Sequence, residues 1–311
     1  MRSSVTNQAL ERSPLILPAT DWQALEQAVS TDADLIVIDL DDLVAPEHKV
    51  KARLNAIKAL TEINWESRPK AIRINALNTP YAYLDLTEIV CKAGQSLELM
   101  LIPKVDRVED VQFIDLLLGQ METDQHFSHQ IRLELQVETA LGLANVNEIA
   151  SASFRATALV FGPGDYAASM NLPIQPDNGT DSNNPPLVSS RWQFPLHQIA
   201  VAARAASLRI IDGPYGDIND HGGFVRSCQE ASALGYDGKW CLDLSQVAIA
   251  NEIFLPTLSQ IQYAQEILGV YAEAAASQQS IVFLRGKLID TASLKSAHNT
   301  LNKAWQAGFR K

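Results

Sequence analysis

Apolar residues gather along this chain in short β-branched runs separated by amphipathic stretches. The runs read LILPA (15–19), DLIVIDL (34–40), KAIRINA (70–76), ELMLIPK (98–104), RLELQVE (132–138), TALVFGPGD (157–165), LRIIDGP (208–214) and GKWCLDL (238–244). Between them lie segments such as HKVKARLNAIKAL (48–60), whose apolar positions recur three and four residues apart, the spacing of one helix face. Eight strands, each followed by a helix at a repeat of roughly 30 residues, predict an α/β fold, the (β/α)8 TIM barrel. A doubly wound open sheet is the structural alternative. Its dinucleotide-binding form is disfavoured, because FGPGD (161–165) runs into Tyr166 without a third glycine.

Two stretches break the rhythm. NLPIQPDNGTDSNNPPLVSS (171–190) is dense in Asn, Pro, Ser and Gly and reads as a long irregular loop, of the length of a functional lid or a disordered insertion. After about residue 260 the strands stop and helical sequence returns around a short IVFLRGKLID (281–290). The predicted organisation is a catalytic barrel over 12–260 and a helical extension over 261–311. That extension is too short for a core of its own and is expected to pack on the barrel or on a neighbouring subunit.

Composition narrows the chemistry. The 311 residues are 47% hydrophobic and 20% charged, ordinary globular values, and no apolar run reaches the roughly 20 residues of a membrane span. The polar amino end lacks the apolar segment of a signal peptide, so a cytoplasmic enzyme is expected. A net charge of -11 argues against a nucleic-acid or acidic-membrane partner. Cys91, Cys228 and Cys241 form no CxxC pair and read as reduced thiols.

Active sites of such barrels sit where the carboxyl ends of the strands converge. The polar residues there are Asp39 and Asp41, Arg73 and Asn75, Lys104, Glu138, Asp165, Asp212 and Asp243, with Asp42 beside the first pair. Acids outnumber Arg73 and Lys104, so the mouth calls for a cation, and an all-oxygen donor set favours Mg²⁺ or Mn²⁺ over zinc. Each residue also has a plainer reading. Glu138 could cap the next helix, Asp165 could be an N-cap, Arg73 could pair with Asp41, and Lys104 could only neutralise the mouth. His126 and His129 have a zinc-like spacing but no arranged thiol or acid beside them.

These stretches together resemble the HpcH/HpaI aldolase and citrate lyase β-subunit superfamily, and within it the malyl-CoA, β-methylmalyl-CoA and citramalyl-CoA lyases. The likeness is carried by DLDDLVAPEHK (39–49), IRINALNTPYAYLDL (72–86), MLIPKVDRVEDV (100–111) and VETALGLANVNEIAS (137–151). FGPGDYAAS (161–169), DGPYGDINDHGGF (212–224), SQVAIANEIFLP (245–256) and GKLIDTASLKSA (286–297) continue it. The resemblance implies a barrel that binds Mg²⁺ through Glu138 and Asp165 and assembles as a homotrimer or hexamer. It implies that Arg73, Glu138, Gly164 and Asp165 hold substrate, with Asp39 and Asp41 orienting Arg73 and waters. Asp290 would be an acid/base residue brought by a neighbouring subunit's tail, with Arg73 and Asp41 as its catalytic companions and Lys104 in support. The implied reaction cleaves or forms a 3-hydroxyacyl-CoA, giving acetyl-CoA and a 2-oxoacid such as pyruvate or glyoxylate.

Three positions depart from the pattern. Strand two reads DLDD where relatives read DLED; strand eight closes LDLSQ with Asp243; and the first loop carries Asp21 and Gln27 where relatives carry basic residues for CoA phosphates. Two further readings stay open on the same scaffold: a thioesterase that releases free CoA, and a citrate lyase β-like subunit that works only with an acyl-carrier partner.

Overall fold

The computed structural model of the chain describes residues 10–66, 68–173, 186–276 and 281–309. At its centre lie eight parallel strands in sequential order. They are β1 Pro14–Pro18, β2 Leu35–Asp39, β3 Lys70–Arg73, β4 Leu99–Ile102, β5 Arg132–Val137, β6 Ala156–Phe161, β7 Arg209–Asp212 and β8 Gly238–Lys239. The sheet closes on itself: Leu15 bridges Cys241, whose carbonyl accepts the Ile16 N–H at 3.0 Å while its N–H donates to Pro14 at 2.8 Å. Closure makes this a TIM barrel rather than an open sheet.

Helices α1 Trp22–Ala28, α2 Lys49–Glu62, α3 Ala82–Leu84, α4 Val90–Ala93, α5 Val108–Asp124, α6 Ala140–Ala144 and α7 Val146–Ser151 pack around the first half. The second half carries α8 Pro163–Ser169, α9 Pro186–Ala205, α10 His221–Ala233 and α11 Leu244–Ile253. Most of the long loop expected over 171–190 lies outside the described residues. Its last five positions are not irregular, as the sequence suggested, but open α9.

Side chains alternate between two cores because a strand has period two. Ile36, Ile38, Ile72, Met100, Leu133, Leu135 and Val137 join the layer between barrel and helices. Leu35, Val37, Ala71, Leu99, Leu101, Ala158, Val160, Ile211 and Trp240 fill the barrel interior. Each such buried aliphatic side chain contributes about 1.5–3 kcal/mol, so the alternation is strongly enforced. Asp39 keeps phase with Leu35 and Val37, and Arg73 with Ala71, so both turn inward at the top of the barrel. Glu134, Gln136 and Glu138 share the inward phase of β5. At the lower end Arg209 pairs with Glu11 (2.6 Å) and Glu134 (3.4 Å), and burial followed by the Glu11 charge holds Glu134 well above the usual carboxylate range.

The carboxyl-terminal extension comprises α12 Leu258–Ala276, β9 Val282–Leu284, β10 Lys287–Ile289 and α13 Thr291–Gln306. The two strands form an antiparallel hairpin turning at Arg285 and Gly286, both with positive φ (52° and 78°), the geometry of a two-residue primed turn. Contrary to expectation, the extension has a small core of its own, formed by Ala264, Ile267, Ala274, Val282, Ile289, Ala297 and Leu301. Hairpin and helices supply apolar faces to one another. A Lys303–Asp237 ion pair of 2.9 Å ties it to the barrel.

Candidate active site

The clustered acids after β2 divide their roles. Asp39 is fully buried and accepts Arg73 Nε at 2.6 Å and Arg73 Nη2 at 2.8 Å, together with the N–H groups of Asp41 and Leu43. Such a bidentate, fully hydrogen-bonded pair compensates the cost of burying both charges. The guanidinium also reaches Asp42 at 3.3 Å and lies 5.3 Å from the Trp240 ring centre. Arg73 therefore pairs with Asp39 and Asp42, not with Asp41. Those neighbours hold it protonated against its burial.

Asp41 is buried as well, and desolvation followed by the Asp42 charge pushes its pKa up. Below it, Lys49 Nζ donates to the carbonyls of Leu40 and Asp41 at 2.7 Å each and clamps the turn. Lys104 crosses the mouth. Its ammonium contacts Asp41 at 3.2 Å, Asp42 at 3.1 Å and Asp165 at 3.2 Å, while its N–H donates to Glu138 Oε1 at 2.8 Å. Its backbone is left-handed, φ 51°.

Glu138 leaves the end of β5 still in the inward phase. Gln136 Nε2 donates to its second oxygen at 2.7 Å. Burial pushes Glu138 up to about 8; Lys104 and Arg73 act against this, and Asp165 adds to it. Neither acid is a cap. Thr139 caps α6, and Gly162 begins α8, which places Asp165 in the first turn with its side chain 40% exposed. A Cβ on Gly162 would stand 2.3 Å from Glu138 Oε2, so this strand end has to be bare for the carboxylate to fit. A Cβ on Gly164 would meet nothing within 4 Å, which leaves the approach to Asp165 open.

Other strand-end residues do not join the cluster. Asp212 is out of phase with the interior residue Ile211 and pairs with Lys239 at 2.5 Å, so a third cation offsets the acids counted from sequence. Asp243 caps α11 through the Ser245 N–H, and its bonds to the Ser245 side chain and then to that N–H lower its pKa. Asn75 is bound to Asp85, itself paired with Arg53. His129 is engaged by the Leu97 carbonyl at 2.9 Å. Asp21 caps α1 by accepting the Ala24 N–H. Asp290 caps α13, its carboxylate bonded to the N–H and hydroxyl of Ser293, and these bonds lower its pKa.

Sequence reasoning passed over Gln136, Gly162, Lys49 and Trp240. Gln136 had a signal, its place in the alternating Glu134–Gln136–Glu138 series. The bareness of Gly162 and the lysine clamp depend on contacts between distant segments and had none.

The residues present fit a hard divalent cation. Among the described residues no three His, Cys, Asp or Glu side chains converge on a metal-sized position. Two carboxylates with water and substrate completing the shell is the arrangement Mg²⁺ favours. An ammonium already draws Asp41, Asp42 and Asp165 together, and Glu138, joined to Lys104 through its N–H, has a carboxylate form that a cation would stabilise.

A family model described as HpcH/HpaI aldolase/citrate lyase matches residues 12–243. The chain belongs to the HpcH/HpaI aldolase/citrate lyase family. The family and the relatives named as lyases together support a carbon–carbon lyase by class. An L-malyl-CoA/β-methylmalyl-CoA lyase of Cereibacter sphaeroides is 35% identical over 299 residues, 94% of each chain. A (3S)-malyl-CoA thioesterase of the same species is 32% identical over 293 residues, again 94% of each. The fold matches the CitE protein of Mycobacterium tuberculosis, solved with magnesium, acetoacetate and coenzyme A. The TM-score is 0.75 at 22% identity, covering 99% of this chain and 100% of that one. No helix among the described residues is long and apolar enough to cross a membrane.

Proposed function

We propose that the protein is a Mg²⁺-dependent lyase that cleaves or forms a 3-hydroxyacyl-CoA of the malyl or citramalyl type, with a 2-oxoacid as the second product. One observation carries the reading: Glu138 accepts the Lys104 N–H while Asp165 meets the Lys104 ammonium, and Glu138 feels both the Asp165 charge and that of a guanidinium that Asp39 holds rigidly. The 35% identity to a malyl-CoA/β-methylmalyl-CoA lyase supports the substrate class, and the magnesium in the CitE structure supports the cofactor.

Glu138 and Asp165 would hold the ion. When bound, it supplies Lewis-acid polarisation of the oxygen that becomes the 2-oxo group. Asp41, whose burial raises its pKa above that of an ordinary aspartate, takes the proton of the substrate hydroxyl. As the carbon–carbon bond breaks, its electron pair passes to the thioester and an enolate forms. Arg73 donates to that enolate oxygen; because Asp39 already fixes the guanidinium, little reorganisation is required. Asp290 of a neighbouring subunit then gives a proton to the enolate carbon next to the thioester carbonyl, forming acetyl-CoA or propionyl-CoA. Asp41 afterwards loses its proton to solvent, and Asp290 regains one from it. In the condensation direction the same groups act in reverse.

The thioesterase relative at 32% identity favours a second reading, in which water attacks the same bound thioester. A coupled assay with malyl-CoA, β-methylmalyl-CoA and citramalyl-CoA, with and without Mg²⁺, separates the two. Release of acetyl-CoA or propionyl-CoA with glyoxylate or pyruvate identifies the lyase, whereas free CoA with the intact hydroxy acid identifies the hydrolase. Glu138→Ala and Asp165→Ala are each expected to abolish the Mg²⁺-dependent rate, and full activity in either variant would remove that residue from the site.

A further inference from the structure

We propose that the Lys104 ammonium is a tethered competitor for the divalent cation, holding Asp165 until an incoming ion displaces it and thereby setting the affinity of the site. This rests on the reading of Glu138 and Asp165 as metal ligands. The cations of the mouth differ in how they are held. Arg73 is buried and locked to Asp39 by two short parallel bonds. Lys104 makes one contact of 3.2 Å each to Asp41 and Asp165 and reaches both oxygens of Asp42 at 3.1 and 3.4 Å, and its side chain is 23% exposed. Ion pairs of that kind are readily exchanged, and a flexible four-carbon stem can withdraw towards solvent.

The residue is also placed to touch both candidate ligands. Strand phase would direct position 104 away from the interior that Leu99 and Leu101 line. The left-handed turn at Lys104 accompanies an N–H that meets Glu138 and an ammonium that meets Asp165. A divalent ion bound by both carboxylates must take the Asp165 oxygen from the ammonium or share it with a like charge. Either way a positive charge at position 104 opposes loading. The backbone contact to Glu138 is kept whatever the side chain, but the ammonium charge also favours the Glu138 carboxylate. Affinities are therefore compared on the plateau of the pH profile, where Glu138 is ionised in every variant.

Lys104→Met keeps the stem and removes the charge; Lys104→Arg keeps the charge. Calorimetric titration of each full-length protein with Mn²⁺, after EDTA treatment and dialysis at constant pH, reads the effect directly. Lys104→Met is expected to tighten Mn²⁺ binding by about tenfold and to enlarge the rise in Tm that saturating Mg²⁺ produces. Lys104→Arg should remain near the wild-type affinity. Unchanged or weaker binding in a folded Lys104→Met protein overturns the competition while leaving the metal site standing. Absence of Mn²⁺ uptake by the wild type overturns both readings. If Lys104→Met does not fold, Lys104→Gln carries the same expectation.

Discussion

Glu138 concentrates the electrostatics of the site in one side chain. Its carboxyl rises from an ordinary 4.5 to about 8 chiefly because burial removes water from the charged form. The folded chain therefore keeps a proton that the unfolded chain gives up. From this group alone, stability falls as pH rises from about 4.5 to about 8, then becomes level. Metal binding requires the carboxylate, so Mg²⁺ affinity should rise by about tenfold per pH unit up to about 8 and flatten above it. Calorimetry in buffers of different ionisation enthalpy would show the released proton. Glu138→Gln is expected to lose both metal uptake and proton release. Asp39, Arg73 and Glu138 were legible in the sequence as polar residues at strand ends, and the structure shows that each continues the inward phase of its strand. Lys104 was legible only as a charge near the mouth, because its direction depends on a left-handed turn. Lys239 was missed as a counter-ion because its pairing with Asp212 is a contact between neighbouring strands.

At the scale of elements, the end of β5 and the start of α8 form one unit. Gly162 lets Glu138 and Gln136 pack against the α8 entry; a methyl group there would stand 2.3 Å from Glu138 Oε2 and 3.0 Å from Gln136 Nε2. Gly162→Ala is expected to destabilise the fold by about 1–3 kcal/mol, the usual cost of overpacking, and to weaken Mn²⁺ binding by displacing the carboxylate. Gly164→Ala, which meets nothing within 4 Å, should leave stability within about 0.5 kcal/mol of wild type, as for a substitution in open space. Thermal denaturation and Mn²⁺ titration of the two variants side by side check the contrast. The glycines were visible in FGPGD, but the sequence does not say which of them lies against a carboxylate. Strand and helix alternation was read correctly through β1–β8, whereas the opening of α9 was hidden by the loop-like composition that precedes it.

At the scale of the whole molecule, the barrel and the extension have separate apolar cores joined by the Asp237–Lys303 pair. Two subunits completing one site would require the extension to carry Asp290 as a preformed element. The capping of α13 by that residue gives it such a fixed place. Asp290→Asn retains a side chain that caps well and should fold and bind Mn²⁺ as wild type does, yet lose turnover. Mixing Asp290→Asn with Glu138→Gln under subunit exchange should restore part of the activity, since hybrid assemblies would contain some intact sites. If the variants complement in no ratio while exchange is demonstrated, sharing of the acid between subunits is refuted. The extension's own core was not legible: its apolar positions are spread over two helices and a hairpin and meet only when all four elements fold together.

Local rules were enough to determine the order of strands and helices, the barrel class and the acids that would end on its rim. They are governed by short-range periodicity, which a single chain displays openly. Which carboxylate is neutralised by which cation, which acid merely caps a helix and where a lysine can compete with a metal ion were decided by tertiary structure. Those outcomes depend on burial and on distances between strands far apart in sequence, and Coulomb energies in a desolvated mouth change sharply over a few ångströms.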